Sequence, residues 1–183
     1  TVEDSQRILS NPEVVLTLKK VKEPIPMYAR ARLEFVIPEP NKEFGFDLEV
    51  ADWVAPHGKG KSTDVIFSVN GYYNSLNDNE SRLVISFPKE GDGLMKIGGN
   101  YRKGSKLMSP HVAPEEGYVP RKEWSKSRKE NPDATAEAHT KYLIAEDYEQ
   151  DGVNYLFRVR TILDPQGNVV SAHYGKIYGD FKF

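Results

Sequence analysis

The stretch Phe44-Gly45-Phe46-Asp47-Leu48-Glu49-Val50 decides the fold, because large apolar side chains occupy every second position in it. Successive side chains of a β-strand point to opposite faces, so a period of two predicts a strand with one buried face. The same alternation returns at 65–70, 83–87 and 155–160, in β-branched and aromatic residues that suit a pleated sheet. Most of the chain is therefore predicted to be strand.

Turn-forming residues separate these runs and set the fold class. Proline pairs at 24–26 and 38–40 cannot lie inside central strands, and Asx/Gly clusters at 77–79, 90–93 and 164–168 are typical of tight turns. Short strands between turns predict an all-β, mainly antiparallel β-sandwich, jelly-roll-like, that forms a single domain over 1–183. One or two short helices are expected beside the strands, at 1–10 and 133–139.

The C-terminal half is predicted to contain a three-stranded meander preceded by a long loop. Asp151-Gly152 and the turn at 164–168 join three runs, 141–149, 153–163 and 169–183, into a predicted three-stranded meander. Residues 99–140 are polar and carry four prolines, Pro110, Pro114, Pro120 and Pro132. We expect this segment to be a long proline-rich loop insertion, and long loops are usually functional or disordered.

Composition excludes several classes of protein. The 183 residues carry 25 Lys and Arg against 27 Asp and Glu, a net charge of −2 that argues against a nucleic-acid partner. The absence of cysteine excludes disulfides, thiolate catalysis and cysteine-ligated metals. No apolar run approaches the roughly 20 residues of a membrane span. The oligomeric state is not predicted.

The location of the protein is an expectation drawn from its first residue. The chain begins with Thr1 instead of methionine. Such a start fits a mature exported protein, extracellular or periplasmic, and it also fits a segment cut from a longer chain. The absence of cysteine is compatible with export and does not decide it.

One segment matches a relaxed phosphate-loop pattern, residues 55–62, which end in Gly60-Lys61-Ser62. A phosphate loop needs a helix after it, because the helix amides hold the anion. Here the following residues, 63–71, have the pattern of a strand. We interpret the segment as a basic loop between antiparallel strands.

Histidines and carboxylates give no specific catalytic pattern. The four histidines are scattered without metal-ligand spacing, so neither a metal nor another cofactor is predicted. Asp47 and Glu49 share a strand face about 6.6 Å apart, which satisfies the carboxylate spacing of a glycosidase. Solvated strand faces satisfy it equally well, so no catalytic residue is assigned. Residues 77–80 offer oxygen ligands for calcium but favour a plain turn.

The aromatic residues carry the best functional signal. Several lie in polar, turn-rich sequence where burial is less natural, and exposed rings flanked by polar groups suit sugars. The predicted ligand-binding residues are Trp53, Tyr72, Tyr73, Tyr101, Tyr118, Trp124, Asp47 and Glu49. The alternative is that these aromatics pack beneath the long loop.

Two arginines, Arg158 and Arg160, share a strand face in the regular pattern, near Lys176. They either bind an acidic ligand or form cross-strand ion pairs with Glu146 and Asp147. Ion pairing is the interpretation that the sequence favours.

These patterns predict a non-catalytic, exported β-sandwich module that binds a glycan or similar polar ligand through loop aromatics. Two alternatives stay open. One is a polysaccharide hydrolase or lyase on the same scaffold, and the other is a structural or assembly domain that docks through its proline-rich segment.

Overall fold

Two antiparallel β-sheets make up the described part of the chain. The computed structural model describes residues 34–97, 112–131, 142–146, 153–179 and 181–183, which all belong to one unit, Glu34–Phe183. The predicted helices at 1–10 and 133–139 lie outside these residues, as does Tyr101. The single domain over 1–183 stays a prediction.

The larger sheet has six strands and the smaller has three. The six-stranded order is β2-β1-β3-β4-β6-β7, and the three-stranded order is β5-β8-β9. The strands are β1 (Glu43–Asp47), β2 (Asp52–Trp53), β3 (Val65–Ser75), β4 (Asp78–Ser86), β5 (Gly93–Ile97), β6 (Arg121–Glu130), β7 (Tyr142–Glu146), β8 (Asn154–Leu163) and β9 (Val169–Tyr178).

One apolar core joins the two sheets, since alternate side chains from both sheets are buried together. The ring of Trp124 on β6 lies 6.0 Å from that of Tyr155 on β8, and Phe181 contacts both. Phe35 packs against Phe46 in a second aromatic group at the start of the unit. The inward faces predicted from the period of two are therefore the faces that build the core.

The all-β prediction is confirmed, and the pair of packed antiparallel sheets agrees with a β-sandwich. The residues that the structure describes contain no helix. The connectivity of a jelly roll stays a prediction. No helix within the described ranges has the length and apolar character needed to cross a membrane.

Two of the predicted turns join paired strands directly. A short turn at 76–77 connects β3 to β4, which pair antiparallel, and the turn at 164–168 connects β8 to β9. In the second turn Asp164 accepts hydrogen bonds from the amides of Gln166 and Asn168, and Gly167 has φ of +85°. The second turn therefore uses the Asx and glycine chemistry predicted from the sequence.

The predicted three-stranded meander is wrong in its first strand. β8 and β9 pair as expected, but β7 pairs with β6 in the other sheet, and β5 pairs with the free side of β8. Asp151-Gly152 lies outside the described residues. Although β7 and β8 are neighbours in sequence, they therefore belong to different sheets.

The predicted loop at 99–140 is wrong over Arg121–Glu130, because these residues form β6 inside the six-stranded sheet. Trp124 is its one fully buried side chain, and it stands opposite Leu83 of β4. The remaining positions of β6 are mainly Lys, Arg, Glu and Ser, since much of the strand faces solvent. The strand lacks the apolar alternation that marked the others.

Candidate functional site

Two arginines on β8 contact different partners although only one residue separates them. A regular strand would place Arg158 and Arg160 on one face. The pairing of β8 with β9 shifts between Val159 and Ile162, and Arg160 has φ of +57°, in the left-handed region. This bulge separates the two side chains, because an extra residue in one strand re-aims the side chain at that point.

Arg160 is surrounded by carboxylates. Its Nε donates to Asp64 at 2.8 Å, and its Nη2 donates to the other oxygen of Asp64 and to Asp47, both at 3.0 Å. Its Nη1 contacts Glu49. Hydrogen bonds to Asp64 raise the pKa of the Arg160 guanidinium, with the charges of Asp64 and Asp47 adding to the effect against burial. Arg160 is therefore permanently charged.

Asp47 is held by backbone amides as well as by Arg160. Its oxygens accept N–H groups from Glu49, Val50, Lys61 and Ser62, at 2.9–3.1 Å. Burial by itself raises the pKa of Asp47, but these amides and Arg160 outweigh it and hold the pKa below the ordinary value. The amides of the phosphate-loop-like segment thus bind a carboxylate of this chain. β3 follows that segment, as the strand-like pattern predicted.

This arrangement gives Asp47, Glu49 and Arg160 a structural role. Arg160 belongs to the three-stranded sheet, whereas Asp47 ends β1 of the six-stranded sheet. Their contacts tie the two sheets together across the edge of the core. The prediction that Asp47 faces a sugar is therefore corrected, because Asp47 contacts Arg160 and is only 2% exposed, whereas sugar binding by Glu49, which also contacts Arg160, stays a prediction.

Arg158 has no carboxylate partner among the described residues. It is 9% exposed, and its Nε and Nη1 donate to backbone carbonyl oxygens of Gly91 and Glu115. Its guanidinium carbon lies 4.6 Å from the centroid of the Tyr118 ring. The predicted cross-strand ion pairs with Glu146 and Asp147 stay a prediction, because the side chain of Glu146 and the whole of Asp147 lie outside what the structure describes.

Arg158 lines a cavity of about 360 Å³. The loop between β4 and β5 forms one side, and Tyr118 and Pro120 form the other. Lys89 and Glu90 are exposed at its rim, and Asp92 is buried beneath. The Asp92 carboxylate accepts hydrogen bonds from the backbone amides of Arg160 and Thr161 at 3.1 and 2.9 Å, so it stabilises the bulge in β8.

Tyr118 covers Arg158 and shapes the cavity. Val119 forms an isolated antiparallel bridge with Leu94, and this bridge brings residues 117–119 against β5. Burial raises the pKa of Tyr118, the nearby Tyr174 raises it further, and Arg158 opposes both. The Tyr118 hydroxyl oxygen is buried without a hydrogen-bond partner among the described residues.

The two tryptophans of the predicted ligand site are core residues. Trp53 is 6% exposed, and its Nε1 donates to the carbonyl of Val36. Trp124 is 2% exposed and packs against Tyr155. Neither ring face is open to a sugar, so the expectation that these aromatics are exposed is wrong. Their polar sequence neighbours were misleading, because those neighbours lie on the opposite strand face or in adjoining turns.

The two tyrosines of the β3–β4 hairpin are exposed but lie far from the cavity. Tyr72 and Tyr73 lie near the turn between β3 and β4, 41% and 68% exposed. The Tyr72 hydroxyl donates to Asp78, and Lys129 lies over its ring. The cavity lies past the other end of β4, about 30 Å along the strand. Ligand binding by this pair stays a prediction, independent of the cavity.

The structure brings Tyr118 together with two residues that the sequence left out of the ligand set, Arg158 and Tyr174. Tyr174 lies directly opposite Arg158 in the pairing of β8 with β9, and its ring centroid is 6.3 Å from that of Tyr118. The sequence contains one sign of this site: Arg158 stands between Phe157 and Val159, in a strand whose other residues are mainly apolar. The sequence does not distinguish Arg158 from Arg160, because their different surroundings result from the bulge in β8.

The remaining chemistry-bearing residues of the described ranges form no second centre. His57 packs its ring 4.8 Å from that of Phe44. Within those ranges, no group of three or more histidines and carboxylates is arranged to hold a metal ion.

The comparisons with known proteins assign no family to the chain. No family model, no curated protein and no solved structure matches it.

Proposed function

We propose that this protein is a non-catalytic binding module whose ligand is an acidic glycan, with one acidic sugar seated in the cavity beside Arg158. The proposal keeps the polar-ligand function predicted from the sequence and moves its site. A single observation carries it: the nine-tenths buried Arg158 lines a cavity and faces carbonyl oxygens and an aromatic ring, with no described carboxylate within ion-pair distance of its guanidinium.

The charge of Arg158 is the first argument. A buried cation without a counter-ion is costly, and a bound anion that pairs with it removes much of that cost. Guanidinium groups hold carboxylate and sulfate oxygens through parallel N–H donors. Here Nε and Nη1 already donate to carbonyls, and Nη2 has no protein partner among the described residues. That nitrogen is the donor that an acidic sugar would use.

The aromatic wall is the second argument. Tyr118 and Tyr174 present rings next to Arg158, and aromatic faces pack well against the C–H faces of sugars. The Tyr118 hydroxyl is buried and unpaired among the described residues, a state that costs about 1–3 kcal/mol. The site thus offers one charged and one apolar contact.

The side chains favour binding over bond cleavage. Burial raises the pKa of the Tyr118 hydroxyl, which makes it harder to ionise. The Asp92 carboxylate is engaged by two backbone amides, and Glu90 stands exposed at the rim. The hydrolase or lyase alternative predicts release of reducing or unsaturated sugar from an acidic polysaccharide. We expect no such product.

Calorimetric titration with matched sugars tests the proposal. Galacturonic acid and galactose differ in a carboxylate that replaces a hydroxymethyl group, and a sulfated galactose supplies the other common acidic group. We expect both acidic sugars to bind and galactose to bind at least about tenfold more weakly. Equal binding of the acidic and neutral sugars, or no binding of any, contradicts the proposal.

A pair of arginine variants locates the site. Arg158→Gln removes the charge from the cavity, and we expect it to abolish the preference for acidic sugars. Arg82→Gln is the matched control, because Arg82 is an exposed arginine of the other sheet, paired with Glu123. Binding that survives Arg158→Gln and fails in Arg82→Gln would place the ligand elsewhere.

A further inference from the structure

A row of side chains crosses the outer face of the three-stranded sheet from the cavity outward. On β9, Tyr174 stands opposite Arg158, Lys176 opposite Leu156, and Tyr178 opposite Asn154. Residues directly opposite in an antiparallel pair share a face. The pairing has no shift over this stretch, so Arg158, Tyr174, Lys176 and Tyr178 all lie on the face that points away from the core.

The opposite face of the same strands carries the residues of the apolar core. Tyr155 is completely buried, and the ring of Phe157 lies over Gly175, where an added Cβ would collide with it. The inner positions of β8 and β9 therefore belong to the core. Tyr174 and Tyr178 belong to the other face and remain 46% and 44% exposed. Two large rings are left half open to solvent on one strip.

The strip is continuous with the proposed ligand cavity. The ring of Tyr118 lies near both Arg158 and Tyr174: its centroid is 4.6 Å from the guanidinium carbon of Arg158 and 6.3 Å from the ring centroid of Tyr174. Tyr178 lies four residues beyond Tyr174, about 13 Å along the strand. That length exceeds what one sugar seated at Arg158 can reach, and the exposed Lys176 lies between the two rings.

We propose that the ligand is an acidic oligosaccharide several units long, with one acidic unit at Arg158 and the following units stacked along Tyr174 and Tyr178. This inference rests on the proposed function and adds the length and direction of the chain. A carboxylate or sulfate at Arg158 fixes the register of the chain. The two tyrosine rings then supply contacts that do not depend on the charge of each unit.

A chain-length series tests the inference. The probes are galacturonic acid and its dimer, tetramer and hexamer, titrated into the whole protein by calorimetry. We expect the tetramer to bind at least about tenfold more tightly than the monomer, since each added ring contact is worth about that factor. Equal affinity for the monomer and the hexamer overturns the inference and leaves the proposed function standing.

Tyrosine variants place the chain on the strip. Tyr178→Ala is expected to weaken tetramer binding about tenfold and to leave monomer binding unchanged. Tyr73→Ala is the matched control, because Tyr73 is an exposed tyrosine at the far end of the other sheet. Tetramer binding that is insensitive to Tyr178→Ala, or that is lost in Tyr73→Ala, overturns the inference.

The two failures are distinguishable. If the monomer binds through Arg158 and length has no effect, only the inference fails. If no acidic sugar of any length binds, or if Arg158→Gln leaves every affinity unchanged, the proposed function fails with it.

Discussion

Arg158 and Arg160 are the same residue type on one strand, and their surroundings are opposite. Arg160 contacts three carboxylates, whereas Arg158 contacts two backbone carbonyls and a tyrosine ring. Arg160 binds together parts of its own chain. Arg158 lines a cavity and has a nitrogen without a partner among the described residues. The two arginines therefore differ in whether the described part of the chain supplies an anion to the buried guanidinium.

Arg160→Ala is the change with the largest expected effect on stability. It leaves Asp47 and Asp64 buried beside each other without their cation, and removal of one partner from a buried ion cluster costs about 3–5 kcal/mol. The free energy of unfolding, from urea denaturation followed by tryptophan fluorescence, measures the loss. A loss below about 1 kcal/mol would contradict a structural role for Arg160.

Asp47→Asn is expected to destabilise the protein by about 2 kcal/mol at neutral pH, since it weakens charge-assisted hydrogen bonds. The folded-state pKa of Asp47 lies below its ordinary value of 3.8. Its ionised form therefore stabilises the fold fully above that value, and this contribution is lost as the pH falls through the folded-state pKa.

The pH dependence of unfolding checks that sign. The difference in stability between the wild type and Asp47→Asn should be constant near neutral pH and should shrink as the pH falls below 3.8. A difference that grows in acid would mean that the folded-state pKa is raised.

Arg160→Gly compared with Arg160→Ala separates the backbone of the bulge from the charge. Both variants lose the guanidinium, but glycine adopts the φ of +57° without the penalty of a Cβ. We expect the glycine variant to be the more stable by about 1 kcal/mol in the same urea titration. Equal stabilities would indicate that the bulge relaxes once the ion pairs are gone.

Arg158→Met is expected to have the smallest effect on stability. It removes a buried charge that has no counter-ion among the described residues, and an apolar residue of similar length fills its place. The carbonyls of Gly91 and Glu115 lose donors, at a cost of about 1 kcal/mol. The free energy of unfolding should change by no more than about that amount, in contrast to Arg160→Ala. A change as large as that of Arg160→Ala would make Arg158 a structural residue.

The sequence predicted the sheets well, because burial on one face imposes a period of two that survives in the residues themselves. Phe44, Phe46 and Phe67 are core residues where the alternation placed them. The alternation did not predict β6, because its buried Trp124 stands among charged residues that face solvent. It also failed at the partner of β7, because strand pairing depends on contacts distant in sequence and not on local pattern.

The candidate site was only partly predictable. The sequence predicts Tyr118 as a ligand-binding residue, and it allows Arg158 either to bind an acidic ligand or to form an ion pair, of which it favours the ion pair. Two carboxylates from distant segments distinguish the arginines: Asp64 binds the Arg160 side chain, and Asp92 binds the amides of the bulge. The shift in strand register then re-aims Arg160. No local pattern in β8 marks that shift.

The most direct test of the central claim is a titration of the isotope-labelled protein with galacturonate, followed by amide chemical shifts. We expect saturable shifts at Gly91, Asp92, Tyr118 and Arg158, and no shifts at Asp47 and Ser62, whose contacts lie in the Arg160 cluster. Shifts that cluster instead at the hairpin of Tyr72 and Tyr73, or an unchanged spectrum at saturating galacturonate, would contradict it.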